Sequence, residues 1–331
     1  MRIYSVKDES PLAERRPAVT MGVFDGVHRG HQAIIRQLLL AARKIGSPAM
    51  AVTFSPHPRQ ALGRAAPPGI CSLERRLELL GEAGLDAVWV LPFTTDFSQT
   101  PAPAFAREYF HRRLNAGAVV LGESAVFGKG RDGNARTLAE WGKPWNMLVE
   151  GVPPLTVDGT VVSSTAIRLA VQEGKLGRAA DFLGRLFSVQ GTVVHGQGHG
   201  RKLGFPTLNL DPHHELRPPP AVYLTVAVID GVARPSITNI GRPPTEPEIE
   251  AGLRDFLIET HLLDFDADVY GRTAEVFFLH KTRDVMRFSG LEELTGQVRK
   301  DLAAARDWFG AVASEGRALD LGPGRQWRAA P

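Results

Sequence analysis

The sequence predicts an α/β chain in two parts. A parallel sheet with helices on both faces comes first, then a small antiparallel six-stranded β-barrel with a terminal helix. Three observations predict it. At 331 residues the chain exceeds the roughly 250–300 residues at which a single core stops growing. Short apolar runs alternate with helical stretches as far as Arg185, and strands with little helix between them follow. The charge changes at the same place. Residues 1–185 hold 23 Lys and Arg against 17 Asp and Glu, a net of +6, and residues 186–331 hold 16 against 19, a net of −3. The parts are therefore set at 1–184 and 185–331.

In the first part Ala18–Val23, Ala49–Phe54, Ala87–Leu91, Ala118–Leu121 and Trp145–Val149 read as strands. Gln32–Lys44 reads as an amphipathic helix, with Ile34, Ile35, Leu38, Leu39 and Ala42 near helical spacing. Leu73–Gly81, Ala104–Leu114 and Leu138–Gly142 are the other helices between strands. This βαβα order implies a parallel sheet covered on both faces, with ligands held beyond the carboxyl ends of its strands. Ser163–Gln172 and Lys175–Leu183 follow as short helices, capped by Ser163 or Ser164 and separated by Gly174. The barrel strands are Phe187–Val194, Thr207–Leu210, Val222–Ile229, Arg234–Asn239, Phe256–Leu262 and Thr273–His280, and Gly290–Phe309 closes the chain as a helix. The tail from Gly316 is expected to be poorly ordered, and His213-His214-Glu215, beside prolines, to form a surface loop.

Composition excludes several classes. A single cysteine, Cys71, forms neither an internal disulfide nor a cysteine-rich zinc site, which suits a reducing cytoplasm. The first ten residues lack the apolar run of a signal peptide, and no segment reaches the roughly 18 apolar residues of a membrane span. A net charge of +3 without a basic run interleaved with aromatics argues against nucleic acid as a partner.

Two segments carry chemistry. Gly22-Val23-Phe24-Asp25-Gly26-Val27-His28-Arg29-Gly30-His31 follows a strand and opens a helix. Its glycines let backbone approach a ligand, and the helix start offers free N–H groups to phosphate. His28 and His31 suit donation to charge building on a phosphoryl oxygen, and without a third nearby ligand they are poor metal candidates. Val162-Ser163-Ser164-Thr165-Ala166-Ile167-Arg168 opens a second helix with three hydroxyls and an arginine fork, either a triphosphate contact or a helix cap with a surface arginine. Phe54-Ser55-Pro56-His57-Pro58 ends the second strand on the side expected for a site.

Residues 191–209 form the second segment. Its glycine spacing mimics a dinucleotide fingerprint, but Gly204-Phe205-Pro206 leads into a strand and no helix follows. A glycine-rich loop between strands, with Gly198, Gly200 and Gly204, folds instead over phosphates, and Arg201 and Lys202 add charge. Thr207 and Asn209 alternate along one strand face, where hard oxygen donors suit a Mg²⁺-nucleotide. Glu259, in an apolar strand, is either a general base toward an alcohol or a satisfied structural carboxylate. Gly122–Lys129 is not a P-loop, because Gly130 follows Lys129.

The string GVFDGVHRGH, with Pro56-His57-Pro58 and SSTAIR, resembles the HxGH nucleotidyltransferases. Within them it looks like the adenylyltransferase module of bacterial bifunctional riboflavin kinase/FAD synthetases. Gly204-Phe205-Pro206-Thr207-Leu208-Asn209 and Glu259-Thr260-His261-Leu262-Leu263-Asp264-Phe265 resemble the riboflavin kinase module of the same family. The resemblance spans residues 17–309 and implies a Rossmann-like nucleotidyltransferase domain, then a kinase barrel. ATP, riboflavin, FMN and FAD would be substrates or products, with Mg²⁺ as cofactor. It further implies His28 and His31 as catalytic groups, with Gly22, Phe24, Asp25, Gly30, Ser163, Ser164, Thr165 and Arg168 around the first nucleotide. In the barrel, Gly198, Gly200, Arg201, Lys202, Gly204, Pro206, Thr207 and Asn209 would hold the second nucleotide, Thr207 and Asn209 the metal, and Glu259 would activate the riboflavin 5′-hydroxyl. His57 and Arg283 would lie beside flavin. One segment departs: Ser124-Ala125-Val126 stands where the family has Asp or Asn, then Phe, and often Arg. A rival reading therefore keeps the kinase and makes the first part inactive or altered in specificity.

Overall fold

The computed structural model describes residues 1–5, 7–8, 12–196, 198, 200, 203–241, 257–322 and 325–327. The chain divides into two compact units. One comprises Met1–Pro67 with Leu73–Ser164, and the other Pro68–Ser72 with Thr165–Pro331.

The first unit is built on six parallel strands: β1 (Arg2–Tyr4), β2 (Ala18–Met21), β3 (Ala49–Ser55), β4 (Ala87–Pro92), β5 (Ala118–Gly122) and β6 (Leu148–Val152). Their order is β1-β4-β3-β2-β5-β6, so the winding reverses between β2 and β5. Helices α1 (Arg29–Ile45), α2 (Pro58–Ala61), α3 (Leu73–Glu82), α4 (Thr95–Ser98), α5 (Ala102–Phe105) and α6 (Ala135–Gly142) connect them, and α5 continues as a π-helical stretch, Ala106–Arg113. The central strands are apolar along their length because both faces are covered, and Val19, Met50, Trp89 and Val119 are fully buried. Helix α1 starts where the His28 ring accepts the His31 N–H and ends at Gly46, whose φ of 65° suits glycine.

The last strand departs from expectation. Trp145 lies in a short 3-10 turn, Lys143–Trp145, and Asn146 turns left-handed (φ 50°), so β6 begins only at Leu148, opposite Ala118. Helix α6 begins three residues earlier than its apolar pattern suggests, because Asn134 and Thr137 form a reciprocal capping box. Strand β1 was not foreseen, and neither was the small hairpin of β7 (Thr156–Val157) and β8 (Thr160–Val161).

The second unit holds α7 (Ser164–Gln172, from Thr165) and α8 (Leu176–Leu183), then β9 (Ser188–Val194), β10 (Leu208–Pro212), β11 (Ala221–Ile229), β12 (Val232–Gly241), β13 (Leu257–Leu262) and β14 (Thr273–Asp284). The six strands close as an antiparallel barrel in the order β10-β13-β12-β11-β14-β9. Helix α9 (Leu291–Ser314) packs its Leu302, Ala305, Phe309 and Val312 with Val222, Leu224 and Phe277 of the barrel. Strand β10 begins at Leu208, so Thr207 stands immediately before the strand instead of within it. Phe256, the expected start of the fifth barrel strand, lies outside the described residues.

One expectation is corrected and another is refined. The described part of the tail is structured: β15 (Leu319–Gly322) pairs with β16 (Arg325–Trp327), and Leu321 is fully buried in the cluster of the barrel and α9, with Leu319 packed against it. The segment His213-His214-Glu215 is a loop as expected, with His213 and Glu215 exposed, but it is anchored. His214 is buried with its Nδ1–H donated to the Gly69 carbonyl, Glu215 accepts the Gly69 N–H, and His213 bonds Thr192, so these side chains fix Pro68–Ser72 to this unit.

Candidate active sites

The first site stands where the sheet winding reverses. After β2, Phe24 adopts φ 53°, and Asp25–Val27 forms a buried single turn with Gly26 at φ 75°. The chain then extends at His28 and enters α1. A Cβ at Gly30 would lie 3.1 Å from His28 Nδ1 and 3.4 Å from the Val162 carbonyl, and one at Gly22 would lie 3.3 Å from the Phe24 ring, so both glycines permit the close turn. Phe24 in turn meets the His31 ring edge-on, with centroids 5.1 Å apart.

His28 and His31 stack with ring centroids 3.6 Å apart. Because His28 Nδ1 accepts the His31 backbone N–H at 3.3 Å, a neutral His28 carries its proton on Nε2. Burial, then the charges of His28 and Arg76, hold the His31 pKa well below its usual value, so this ring is neutral near pH 7. His31 Nδ1 is buried without a hydrogen-bond partner. A neutral imidazole aimed into such a turn can donate to a phosphoryl oxygen without first losing a solvent shell.

Ser164 is brought to this turn, its Oγ donating to the Asp25 carbonyl at 3.3 Å. Thr165 and Arg168 fall in the second unit, where Arg168 Nε donates to the Pro68 carbonyl at 2.7 Å. His57 caps α2 at the carboxyl end of β3, its Nδ1 accepting the Arg59 N–H. Ser124 and Val126 are exposed just beyond β5, the strand across the reversal from β2, while Phe127 is buried against Phe105 and Phe110. Sequence reasoning missed Arg76. It sits on α3, which reads only as an amphipathic helix, yet it is buried and close enough to bias His31.

The second site is built on three adjacent barrel strands. Asn209 in β10 and Asn239 in β12 both stand in register with Glu259 in β13, so the carboxylate has an amide on either side along one face. All three are half-buried. Asn239 was not singled out from the sequence, because cross-strand register is invisible until strands are paired. The β9–β10 connection lies against this row. A Cβ at Gly196 would fall 2.1 Å from Asn209 Nδ2, and one at Gly200 would fall 2.5 Å from the Phe205 carbonyl and 3.1 Å from Thr207 Oγ1. Gly198 and Gly204 take φ of 69° and 84°. His261 Nδ1–H donates to the Pro206 carbonyl at 2.7 Å and locks the chain just before Thr207. A cleft between Val193, Thr207, Leu208, Thr260 and the 265–270 connection opens beside Thr207. Arg201 and Lys202 lie outside the described residues. Arg283 is engaged within the unit: Nη2 and Nε donate to the Asp301 carboxylate at 2.6 and 3.0 Å, and Nη1 donates to the Asp284 carbonyl.

Among the described residues no group of three or more His, Cys, Asp or Glu side chains stands ready to hold a metal ion. Oxygen donors near a metal in the barrel would be a hydroxyl and an amide.

Comparison with known proteins finds two family matches along the chain. Residues 10–166 match the FAD synthetase family and residues 183–309 the riboflavin kinase family. A relative from Escherichia coli strain K12, named bifunctional riboflavin kinase/FMN adenylyltransferase, is 35% identical over 310 residues, covering 93% of this chain and 97% of its own. A relative of the same name from Pseudomonas fluorescens is 37% identical over 287 residues, covering 87% and 91%. A crystal structure described as a macrolide-efflux protein from Streptococcus pneumoniae superposes with a TM-score of 0.80 at 27% identity, over 93% of this chain and 100% of that one. No helix among the described residues is long and apolar enough to cross a membrane.

Proposed function

This chain belongs to the bifunctional riboflavin kinase/FMN adenylyltransferase family, and on that premise we propose that it makes FMN from riboflavin and ATP and then FAD from FMN and ATP. The observation that carries this reading is the presence of two separate phosphate-directed constellations, His28 and His31 at the reversal of the sheet and Asn209-Glu259-Asn239 on the barrel.

We assign phosphoryl transfer to residues 185–331. Glu259 takes the proton of the riboflavin 5′-hydroxyl as its oxygen attacks the γ-phosphorus of ATP, and ADP leaves. The glycines facing Asn209 and Thr207 leave room for phosphate beside them, and oxygen donors of this kind fit Mg²⁺, which keeps several waters and shares phosphate oxygens. Thr207 and Asn209 would hold it, and it would neutralise charge on the nucleotide. Arg283 acts beside flavin through its carboxylate clamp rather than as a free cation.

We assign adenylyl transfer to residues 1–184. A phosphate oxygen of FMN attacks the α-phosphorus of ATP, and pyrophosphate leaves. No protein nucleophile is needed, so positioning and charge stabilisation by His28, His31, the α1 N-terminus, Ser163 and Ser164 supply the rate. His57 borders the flavin. The enzyme would work in the cytoplasm on small molecules, without nucleic acid or membrane.

One observation favours the rival reading. The exposed Ser124 and Val126 offer neither carboxylate, amide nor aromatic face at the reversal point. Incubating purified protein with riboflavin plus ATP, and separately with FMN plus ATP, decides between them. FMN and FAD are expected respectively. FMN formation with no FAD from folded protein would establish the kinase alone.

A further inference from the structure

Arg76 is a buried cation, 9% exposed, and among the described residues no carboxylate pairs with it. Its neighbour Arg75, more deeply buried, is held by Glu78 and Glu82 at 2.9 and 3.0 Å. Arg76 has one long hydrogen bond, Nη1 to the Phe54 carbonyl at 3.4 Å, and its Nε is buried with no partner. Removing a guanidinium from water is costly unless an anion and hydrogen bonds replace the solvent. Among the described residues the fold supplies no anion and only the one long hydrogen bond to the Phe54 carbonyl.

The position of Arg76 says what would. Phe54 is at the carboxyl end of β3, the edge at which ligands bind in parallel sheets. Helix α3 packs against the Asp25–Val27 turn, and the charge of Arg76 reaches His31. Two orphaned buried groups, Arg76 Nε and His31 Nδ1, thus lie close enough for the charge of one to act on the other. A guanidinium fork with one edge unused is suited to two oxygens of a phosphate.

We propose that Arg76 is a phosphate-binding residue of the first site, taking oxyanion oxygens either of the ATP triphosphate, which becomes pyrophosphate, or of the FMN phosphate. The assignment rests on the adenylyl-transfer reading for its ligands, but not for its physics. Bound there, Arg76 would fix the phosphate against the turn and stabilise charge as the P–O bond to the leaving group breaks.

Calorimetry on the full chain tests it, with pyrophosphate and FMN titrated separately into wild type, Arg76→Gln and Arg76→Lys. Circular dichroism and thermal unfolding of each sample report folding of the unit that carries Arg76, and riboflavin kinase turnover, from Glu259 and Thr207, reports the other unit. Arg76→Gln should weaken one ligand by about tenfold or more, with Lys restoring part of the loss. Loss confined to pyrophosphate identifies the triphosphate, and loss confined to FMN identifies the acceptor phosphate. Either result supports the proposal. Wild-type affinity for both ligands in folded Arg76→Gln overturns it, as does failure of wild type to bind either. If the Gln variant does not fold, Arg76→Lys decides, since unchanged affinity for both ligands overturns a bidentate contact. Wild type that binds pyrophosphate but makes no FAD would overturn the adenylyl reading and leave Arg76 standing. FAD formation with an indifferent Arg76→Gln would do the reverse.

Discussion

His31 concentrates the physical chemistry of the first unit in one ring. Its native pKa lies well below 6.5, chiefly through burial. Between that low value and 6.5 the unfolded chain carries a proton on this residue that the native chain does not. Stability is therefore fully present above about pH 6.5 and is lost as the pH falls below it. His261 and His280 in the second unit are lowered in the same direction, also by burial, so acid loosens both units. Urea denaturation at about pH 7.5 and 5.5 should give a lower midpoint in acid, and His31→Gln should shrink that difference for the first unit. An unchanged difference would mean that the native ring titrates freely.

At the scale of elements, the glycine connection before β10 is the part most exposed to test. Gly196→Ala places a methyl against the Asn209 amide, which must rotate away from Glu259. FMN formation should fall about tenfold, while Gly177→Ala, with open space at its Cβ, should leave it unchanged. The β15–β16 hairpin carries a stability prediction. Leu321 is fully buried with Phe309 and Val312, so Leu321→Ala should cost about 2–5 kcal/mol in unfolding of the barrel unit. These elements also mark what could be read in advance. Strands β2 to β5 were legible because burial on both faces leaves an uninterrupted apolar run. Strand β1 has three residues and a solvent edge, too short for any alternation, and Asn146 ends a turn by a backbone angle that its side chain only permits. The motifs around His31 and Asn209 were legible because their residue types stand at short fixed spacing in the chain. Asn239 and Arg76 were not. One reaches its site through strand register, and the other looks like any arginine on an amphipathic helix.

For the whole molecule, the central consequence of the proposal is that the two reactions rest on different key residues, His31 in the first unit and Glu259 in the second, linked by a diffusible product. Glu259→Gln removes the base for the riboflavin hydroxyl and should lower FMN formation by roughly 10²–10⁴-fold, leaving FAD formation from supplied FMN intact. His31→Ala removes a donor at the phosphoryl oxygen and should lower FAD formation by roughly 10²–10³-fold, leaving the kinase intact. Neither variant alone should convert riboflavin to FAD at an appreciable rate. Mixed in one tube they should do so, because FMN made on the barrel of the His31→Ala chain reaches the nucleotidyl site of the Glu259→Gln chain. The double variant should stay silent alone and in the presence of either single variant for the step both lack. Time courses by chromatography distinguish the cases. A lag in FAD that shortens with added FMN marks release of the intermediate into solution. Silence of the mixture, with each half-reaction intact, would mean that FMN passes between sites only within one chain.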